Sequence, residues 1–205
     1  IQDETAPVFF WPSRLDPVQK GCHLLADIFY QVISDYWDQN LQVVFVANGD
    51  YQMVFRDIVK QHHFQKRVAI YDFSNSLEHL AYGASDFILM PSRFEPCGLN
   101  QLYSLRYGTP PIVRRTGGLA DTVVDATPEN LANGSATGFV FEHANAAGLW
   151  YAVEHALALW HHADGRWRQI AVAGMEQDFS WDNSAARYLE LYRRALANPL
   201  PNPLA

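Results

Sequence analysis

The stretch FILMPSRFEPCGLNQLYSLRYGTPPIVRRTGG, residues 87 to 118, decides the fold class. It contains two short apolar runs, FILM and PPIV, with an amphipathic segment, LNQLYSLRYG, between them. Short apolar runs typical of buried strands, alternating with longer amphipathic segments, predict parallel strands joined by helices. This stretch is therefore interpreted as a strand, a loop, a helix and a second strand of one parallel sheet.

The same alternation extends along most of the chain. Six strands are predicted, in the segments 8–13, 41–49, 67–73, 87–92, 110–116 and 138–142. Helices are predicted between them, at 22–37, 51–63, 76–86 and 99–108. After residue 143 the apolar runs stop, and three amphipathic segments predict a helical closing segment at about 144–197. Since no linker-like composition interrupts the chain, residues 1–205 are predicted to form one domain.

Composition excludes several classes of function. The 205 residues are 49% hydrophobic and 18% charged, with a net charge of -7, which argues against a general nucleic-acid surface. Two distant cysteines, Cys22 and Cys97, indicate neither a disulfide framework nor a zinc site. They fit the reducing cytoplasm, or a plastid in a plant. No apolar run is long enough to predict a membrane span, and the N-terminus lacks the pattern of a signal peptide. The absence of an initiator Met suggests a piece of a longer chain.

Ligands of open parallel sheets bind beyond the carboxyl ends of the strands, so the candidate residues lie in the loops there. These loops are 13–21, 47–51, 72–76, 92–98 and 115–121. The first, SRLDPVQKG, places Arg14 and Lys20 just before a helix, an arrangement that suits a diphosphate. The alternative is that both are solvated surface charges, which is the more frequent case for two basic residues in an arbitrary loop.

Two further loops contain unusual local chemistry. Glu95 precedes Pro96 and Gly98 at a strand-to-helix junction, where the backbone can approach a hydroxylated, phosphorylated ligand closely. An equally good interpretation is that Glu95 only interacts favourably with the dipole of the following helix. Gly117 and Gly118 permit a tight turn that exposes backbone donors, although a Gly-Gly turn alone is weak support for a site. Neither a Walker A loop nor a G-x-G-x-x-G motif occurs in the sequence.

The motifs together carry a much more specific signal than any one of them. The order SRL, QKG, RFEPCGLNQLYSLRYGTPPIVRRTGGLADTV and ATGFVFEHANAAGLWYAVEHAL resembles the C-terminal half of bacterial glycogen synthases and plant starch synthases, glycosyltransferase family 5. The likeness covers about residues 8–197. It implies a GT-B enzyme with two facing Rossmann-like domains, of which this chain is the nucleotide-sugar domain with helices on both faces of its sheet. Such enzymes move glucose from ADP-glucose or UDP-glucose to the non-reducing end of an α-1,4-glucan, with retention of configuration.

The resemblance also implies roles for individual residues. Arg14 and Lys20 hold the donor diphosphate and, with Glu95, are the implied catalytic residues. The implied substrate-binding residues are Phe73, which stacks on the base in place of the more usual Tyr, and Cys97, Gly98, Leu99, Thr116, Gly117 and Gly118. Since no D-x-D motif occurs, neither a metal nor another cofactor is expected.

Two hypotheses about the whole protein follow. In the first, the chain is the donor domain of a glycogen or starch synthase whose N-terminal, acceptor-binding domain is absent from this chain. In the second, it is a free-standing, non-catalytic module that binds sugar nucleotides. The start just before the first strand favours the first hypothesis. An upstream reading frame of roughly 200 residues or more distinguishes the two.

Overall fold

The computed structural model describes residues 5–162 and 164–197. It contains six strands: β1 Val8–Trp11, β2 Gln42–Val46, β3 Val68–Tyr71, β4 Phe87–Met90, β5 Pro111–Arg114 and β6 Phe139–Phe141. The helices that alternate with them are α1 Cys22–Asp35, α2 Tyr51–Gln61, α3 Asn75–Ala84, α4 Asn100–Tyr107, α5 Gly117–Thr122 and α6 Pro128–Asn133. A 3₁₀ turn, Trp37–Gln39, follows α1. Three helices close the chain: α7 Ala146–His161, α8 Arg166–Met175 and α9 Trp181–Ala197.

All six strands pair in parallel, in the order β3-β2-β1-β4-β5-β6. In the centre of the sheet, Phe9 of β1 is level with Val43 of β2 on one side and with Phe87 of β4 on the other. The predicted α/β fold with a Rossmann-like parallel sheet and a helical C-terminal extension is therefore confirmed.

Side chains alternate strictly between the two faces of the sheet. Phe9 and Trp11 belong to one buried cluster, whereas Phe10, between them, belongs to the other. The first cluster includes apolar residues of α1, α2, α7 and α8, and the second includes residues of α3 and α5. Since successive side chains of a strand point to opposite faces, continuous apolar strands need helices on both sides, and this chain supplies them.

The closing helices differ in how much they bury. Helix α7 contributes Leu149 and Val153 to the first cluster. Helix α8 is tied to α4, because Arg106 Nη1 of α4 donates to the carbonyl of Met175 in α8. No residue of α9 is buried by the described part of the chain, and the indole of Trp181 is 85% exposed. Within residues 5–162 and 164–197, each helix is too short or too polar to cross a lipid bilayer.

Candidate functional site

The strand order places a crevice between β1 and β4. The sheet grows in one direction from β1 through β2 to β3, and in the other from β4 to β6. At such a switch point the loops that follow the two central strands diverge and leave room for a ligand. The loop after β1 carries Arg14 and Lys20, and the loop after β4 carries Glu95. Topology therefore brings together the residues to which the resemblance gives catalytic roles.

A glycine allows these two loops to touch. Gly21 has φ +70°, and a Cβ on it would lie 2.1 Å from the Pro91 carbonyl oxygen, so a side chain would push the loops apart. Next to it, the Arg93 amide donates to the Gln19 carbonyl at 2.8 Å. Helix α1 begins at Cys22, directly after this contact, so its N-terminus lies at the crevice. The free thiol of Cys22 is buried, and burial raises its pKa to about 12, so it remains protonated there.

Lys20 and Glu95 form an ion pair across the crevice. The distance from Lys20 Nζ to Glu95 Oε2 is 2.5 Å, and the side chains are only 13% and 9% exposed. The same carboxylate oxygen accepts a hydrogen bond from Ser92 Oγ at 3.3 Å. Both charges have lost most of their hydration, and each offsets that loss for the other. The pair holds a cation and a carboxylate ready at the point where the two loops meet.

A cleft of about 1060 Å³ opens beside this pair. Its lining includes four of the residues predicted from the sequence: Arg14, Lys20, Phe73 and Leu99. The lining also contains residues that the sequence analysis did not assign, notably Ser13, Asp16, Asn48, Asp50, Asn75, Glu78, Asn100 and Tyr103. The loops at 47–51 and 72–76 had pointed to this region, but which of their side chains face the cleft depends on how α2 and α3 pack on the sheet. Glu95 adjoins the cleft through Lys20.

Arg14 lies in a loop braced by Asp16. One Asp16 carboxylate oxygen accepts from the amides of Val18 and Gln19, at 2.8 and 3.0 Å. These backbone donors, helped by the nearby Arg14 and Lys20 charges, hold the pKa of Asp16 below its ordinary value. The guanidinium of Arg14 is exposed and makes one long hydrogen bond, 3.4 Å, to Gln19 Oε1. It is a cation at the rim that a ligand can engage with little rearrangement.

Phe73 lines the cleft from the loop after β3. Its ring is 52% exposed, and its backbone amide donates to Asn48 Oδ1 at 2.9 Å. That hydrogen bond joins the loops after β2 and β3. An exposed aromatic ring is expensive to leave in water and offers a face for stacking.

The remaining predicted residues build the wall behind Glu95. The amide of Gly118 donates to the carbonyls of Glu95 and Pro96, at 3.0 and 3.1 Å. A Cβ on Gly118 would lie 1.8 Å from the Cys97 carbonyl oxygen, so this contact also requires glycine. Cys97, Gly98, Thr116, Gly117 and Gly118 therefore lie around the Glu95 loop, and they are not part of the cleft lining.

Two polar side chains that the sequence analysis missed, the buried Gln101 and the half-buried Arg114, fix this wall. Gln101 Nε2 donates to the carbonyls of Cys97 and Gly98, at 3.0 and 3.1 Å. Arg114 donates through Nε to the Ser92 carbonyl at 2.9 Å, and through Nη2 to the Arg93 carbonyl. No pattern in the sequence marks them as loop supports, because their partners are backbone groups. In the described ranges, no three His, Cys, Asp or Glu side chains are grouped so as to hold a metal ion.

Comparison with known proteins identifies the family. The family described as Glycosyl transferases group 1 matches residues 2–171. The chain belongs to this family. The match includes all six strands and the loops that form the cleft.

Curated relatives of this family member include bacterial glycogen synthases. The glycogen synthase of Hydrogenovibrio crunogenus is 46% identical over 194 residues, which are 94% of this chain and 38% of that protein. Glycogen synthase 1 of Methylococcus capsulatus is 50% identical over 182 residues, 87% of this chain and 36% of that protein. The chain thus spans less than two fifths of the length of these relatives.

A solved structure shows the same fold. The catalytic domain of starch synthase IV from Arabidopsis thaliana, bound to ADP and acarbose, matches with a TM-score of 0.80 and 33% identity. The match covers 96% of this chain and 40% of that one. The predicted likeness to glycogen and starch synthases is confirmed.

Proposed function

We propose that this chain is the donor-binding domain of a retaining glucosyltransferase. It binds ADP-glucose or UDP-glucose, and the complete enzyme transfers the glucose to the non-reducing end of an α-1,4-glucan. The observation that carries the proposal is the cleft at the switch point, whose lining contains both the cations Arg14 and Lys20 and the aromatic ring of Phe73. A sugar nucleotide has the matching groups: a diphosphate and a flat base. The ADP in the related starch synthase structure supports the same ligand class.

The cations of the cleft suit the charge that develops during transfer. As the bond between the anomeric carbon and the diphosphate oxygen breaks, negative charge grows on the departing diphosphate. Arg14 and Lys20 stabilise that charge more strongly in the transition state than in the bound substrate, which is what lowers a barrier. In a front-side displacement the acceptor hydroxyl attacks from the same face, and its proton passes to the departing oxygen.

Glu95 complements these cations. A carboxylate beside a diphosphate is unfavourable by itself, but Lys20 at 2.5 Å offsets the repulsion. Glu95 then accepts hydrogen bonds from sugar hydroxyls and favours the positive charge that builds on the ring. The loop wall of Gln101, Arg114 and Gly118 holds the carboxylate in place, so little reorganisation is needed at the moment of reaction.

Calorimetric titration of ADP into the 205-residue chain tests the donor site. We expect measurable heat with a dissociation constant in the millimolar range or below. Lys20→Ala should weaken ADP binding by about 1.5 to 3 kcal/mol and leave adenosine binding almost unchanged, as expected for one charge-assisted hydrogen bond. Lys66→Ala, an exposed lysine outside the cleft, is the matched control. A folded wild-type chain that gives no heat at millimolar ADP rules the donor site out.

The second candidate function is a non-catalytic module that binds sugar nucleotides, since the cleft is formed within this chain alone. Transfer assays on the full-length protein separate the two candidates. Incorporation of labelled glucose from ADP-glucose or UDP-glucose into glycogen means an enzyme. Donor binding without incorporation means a module.

A further inference from the structure

Glu78 is a carboxylate of the cleft that has no hydrogen-bond or ion-pair partner among the described residues. It lies in the first turns of α3, five residues after Phe73, and lines the cleft together with Phe73 and Tyr103. Its side chain is half-buried, yet it makes no hydrogen bond or ion pair with any residue of the described ranges 5–162 and 164–197. Burial raises the pKa of Glu78 above its ordinary value, and the neighbouring His79 offsets this only in part.

The other acidic residues in the lining are satisfied differently. Asp16 is occupied by the amides of Val18 and Gln19. Asp50 precedes α2 and is exposed, so water hydrates it. Glu78 has lost part of its hydration and gained nothing within the described chain. A partly desolvated carboxylate of this kind is free to accept hydrogen bonds from a ligand in the cleft.

The chemistry of the expected ligand limits what Glu78 can bind. Its charge repels a diphosphate, so it is favourable only beside a neutral hydrogen-bond donor. In a nucleotide those donors are the ribose hydroxyls and an exocyclic amine of the base. Glu78 comes from the element that follows Phe73, whereas Lys20 and Glu95 belong to the loops of the crevice. Its place in the same loop-and-helix segment as Phe73, the residue expected to stack on the base, points to the nucleoside.

We propose that Glu78 is a nucleoside-recognition residue, whose carboxylate accepts hydrogen bonds from the ribose hydroxyls or from an exocyclic amine of the bound nucleotide. This inference rests on the proposed donor site and deepens it. A contact with the ribose selects ribonucleotides and leaves the base free to vary. A contact with an amine selects adenine over a base that lacks one, and so sets a preference for ADP-glucose over UDP-glucose.

Calorimetry on the full 205-residue chain tests the proposal with four proteins and five probes. The proteins are wild type, Glu78→Ala, Glu78→Gln and Glu176→Gln, where the last makes the same chemical change at an exposed position outside the cleft. The probes are ADP, 2′-deoxy-ADP, 3′-deoxy-ADP, inosine diphosphate and inorganic pyrophosphate. Circular dichroism and a thermal melt confirm that each variant is folded, and the isosteric Gln variant guards against a packing defect in the Ala variant.

We expect Glu78→Ala to weaken ADP binding about tenfold or more, with a smaller loss for Glu78→Gln, which keeps an acceptor oxygen. Pyrophosphate should bind Glu78→Ala as well as wild type or slightly better, because a repulsive charge is removed. Each analogue lacks one candidate hydrogen-bond donor, so the analogue that binds wild type and Glu78→Ala equally well identifies the group that Glu78 contacts. A deoxy analogue would identify a ribose hydroxyl, and inosine diphosphate would identify the exocyclic amine.

Two outcomes overturn the proposal, and they are distinguishable. If wild type binds ADP and both Glu78 variants bind all five probes within about twofold of wild type, Glu78 has no part in recognition. If wild type binds neither ADP nor pyrophosphate, the donor site itself is wrong, and the role of Glu78 falls with it.

Discussion

Lys20 Nζ lies 2.5 Å from Glu95 Oε2 and joins the loop after β1 to the loop after β4. The pair is largely buried, so its two charges depend on each other. It is also the link between the cleft and the wall of backbone contacts behind Glu95. The folding energy and the chemistry of this site are therefore coupled through one contact.

Removing Lys20 should destabilise the fold as well as weaken ligand binding. Lys20→Ala leaves Glu95 charged and buried, which we expect to cost about 3 kcal/mol of the free energy of unfolding. The double variant Lys20→Ala/Glu95→Gln removes the stranded charge and should regain most of that loss. Urea denaturation of both variants and of Lys66→Ala measures this. If the double variant is no more stable than Lys20→Ala, the pair does not stabilise the crevice as described.

Phe73→Ala should affect the base and spare the diphosphate. The exposed ring offers a stacking face, and loss of one base-aromatic stack costs about 1 to 3 kcal/mol. We expect weaker binding of both ADP and adenosine by calorimetry, with pyrophosphate unchanged. Phe94→Ala is a suitable control, since that ring is 61% exposed and lies outside the cleft lining. Unaltered adenosine affinity in Phe73→Ala would show that the base lies elsewhere.

Glu95→Gln in the full-length protein should lower kcat far more than it raises the KM for the donor. Gln keeps the size of the side chain and can still accept hydrogen bonds, but it loses the charge that favours a positive sugar ring. Removing one preorganised group of this kind typically costs on the order of 100-fold in kcat. Steady-state kinetics with saturating glycogen and varied ADP-glucose measures both constants. An unchanged kcat would leave Glu95 with only the structural role that its ion pair already gives it.

Asp86, at the amino ends of the central strands β1 and β4, predicts a pH dependence of stability. Burial raises the pKa of Asp86 to about 6 from an ordinary 3.8. The hydrogen bond of 2.8 Å from the Val8 amide to the carboxylate opposes this shift only in part. Because the folded chain holds this proton more tightly than the unfolded chain, stability falls as pH rises from about 4 to 6 and stays lower above that range.

Asp86→Asn tests this dependence. Asn cannot ionise, but its carbonyl oxygen can still accept from Val8. We expect this variant to lose that part of the pH slope and to be more stable at pH 7 by at most about 3 kcal/mol. Denaturant unfolding at pH 4, 5, 6 and 7 measures the slope. The exposed Asp57→Asn should keep the wild-type profile, and an identical slope in Asp86→Asn would assign the pH dependence to other groups.

All six strands and seven of the helices of the described chain could be predicted from the sequence, because apolar runs and amphipathic periodicity are local signals. Helices α5 and α6 were missed. Gly117 and Gly118 disfavour a helix locally, and α5 exists because Leu119 is buried against the sheet. Helix α6 did carry a local signal, Thr127 before Pro128, and the Thr127 hydroxyl accepts from the Asn130 amide as an N-cap.

The sequence by itself determined the fold class, the family likeness and the cations and aromatic ring of the candidate site. Each of these depends on residue types at fixed spacings along the chain. Tertiary structure alone decided that Lys20 pairs with Glu95, that Gly118 supports the Glu95 loop, and that Glu78 lines the cleft unpaired by any residue in the described part of the chain. The partners in the first pair are 75 residues apart, and strand order, which no local pattern encodes, brings their loops together. Hydration, burial and charge pairing arise only once that order is set.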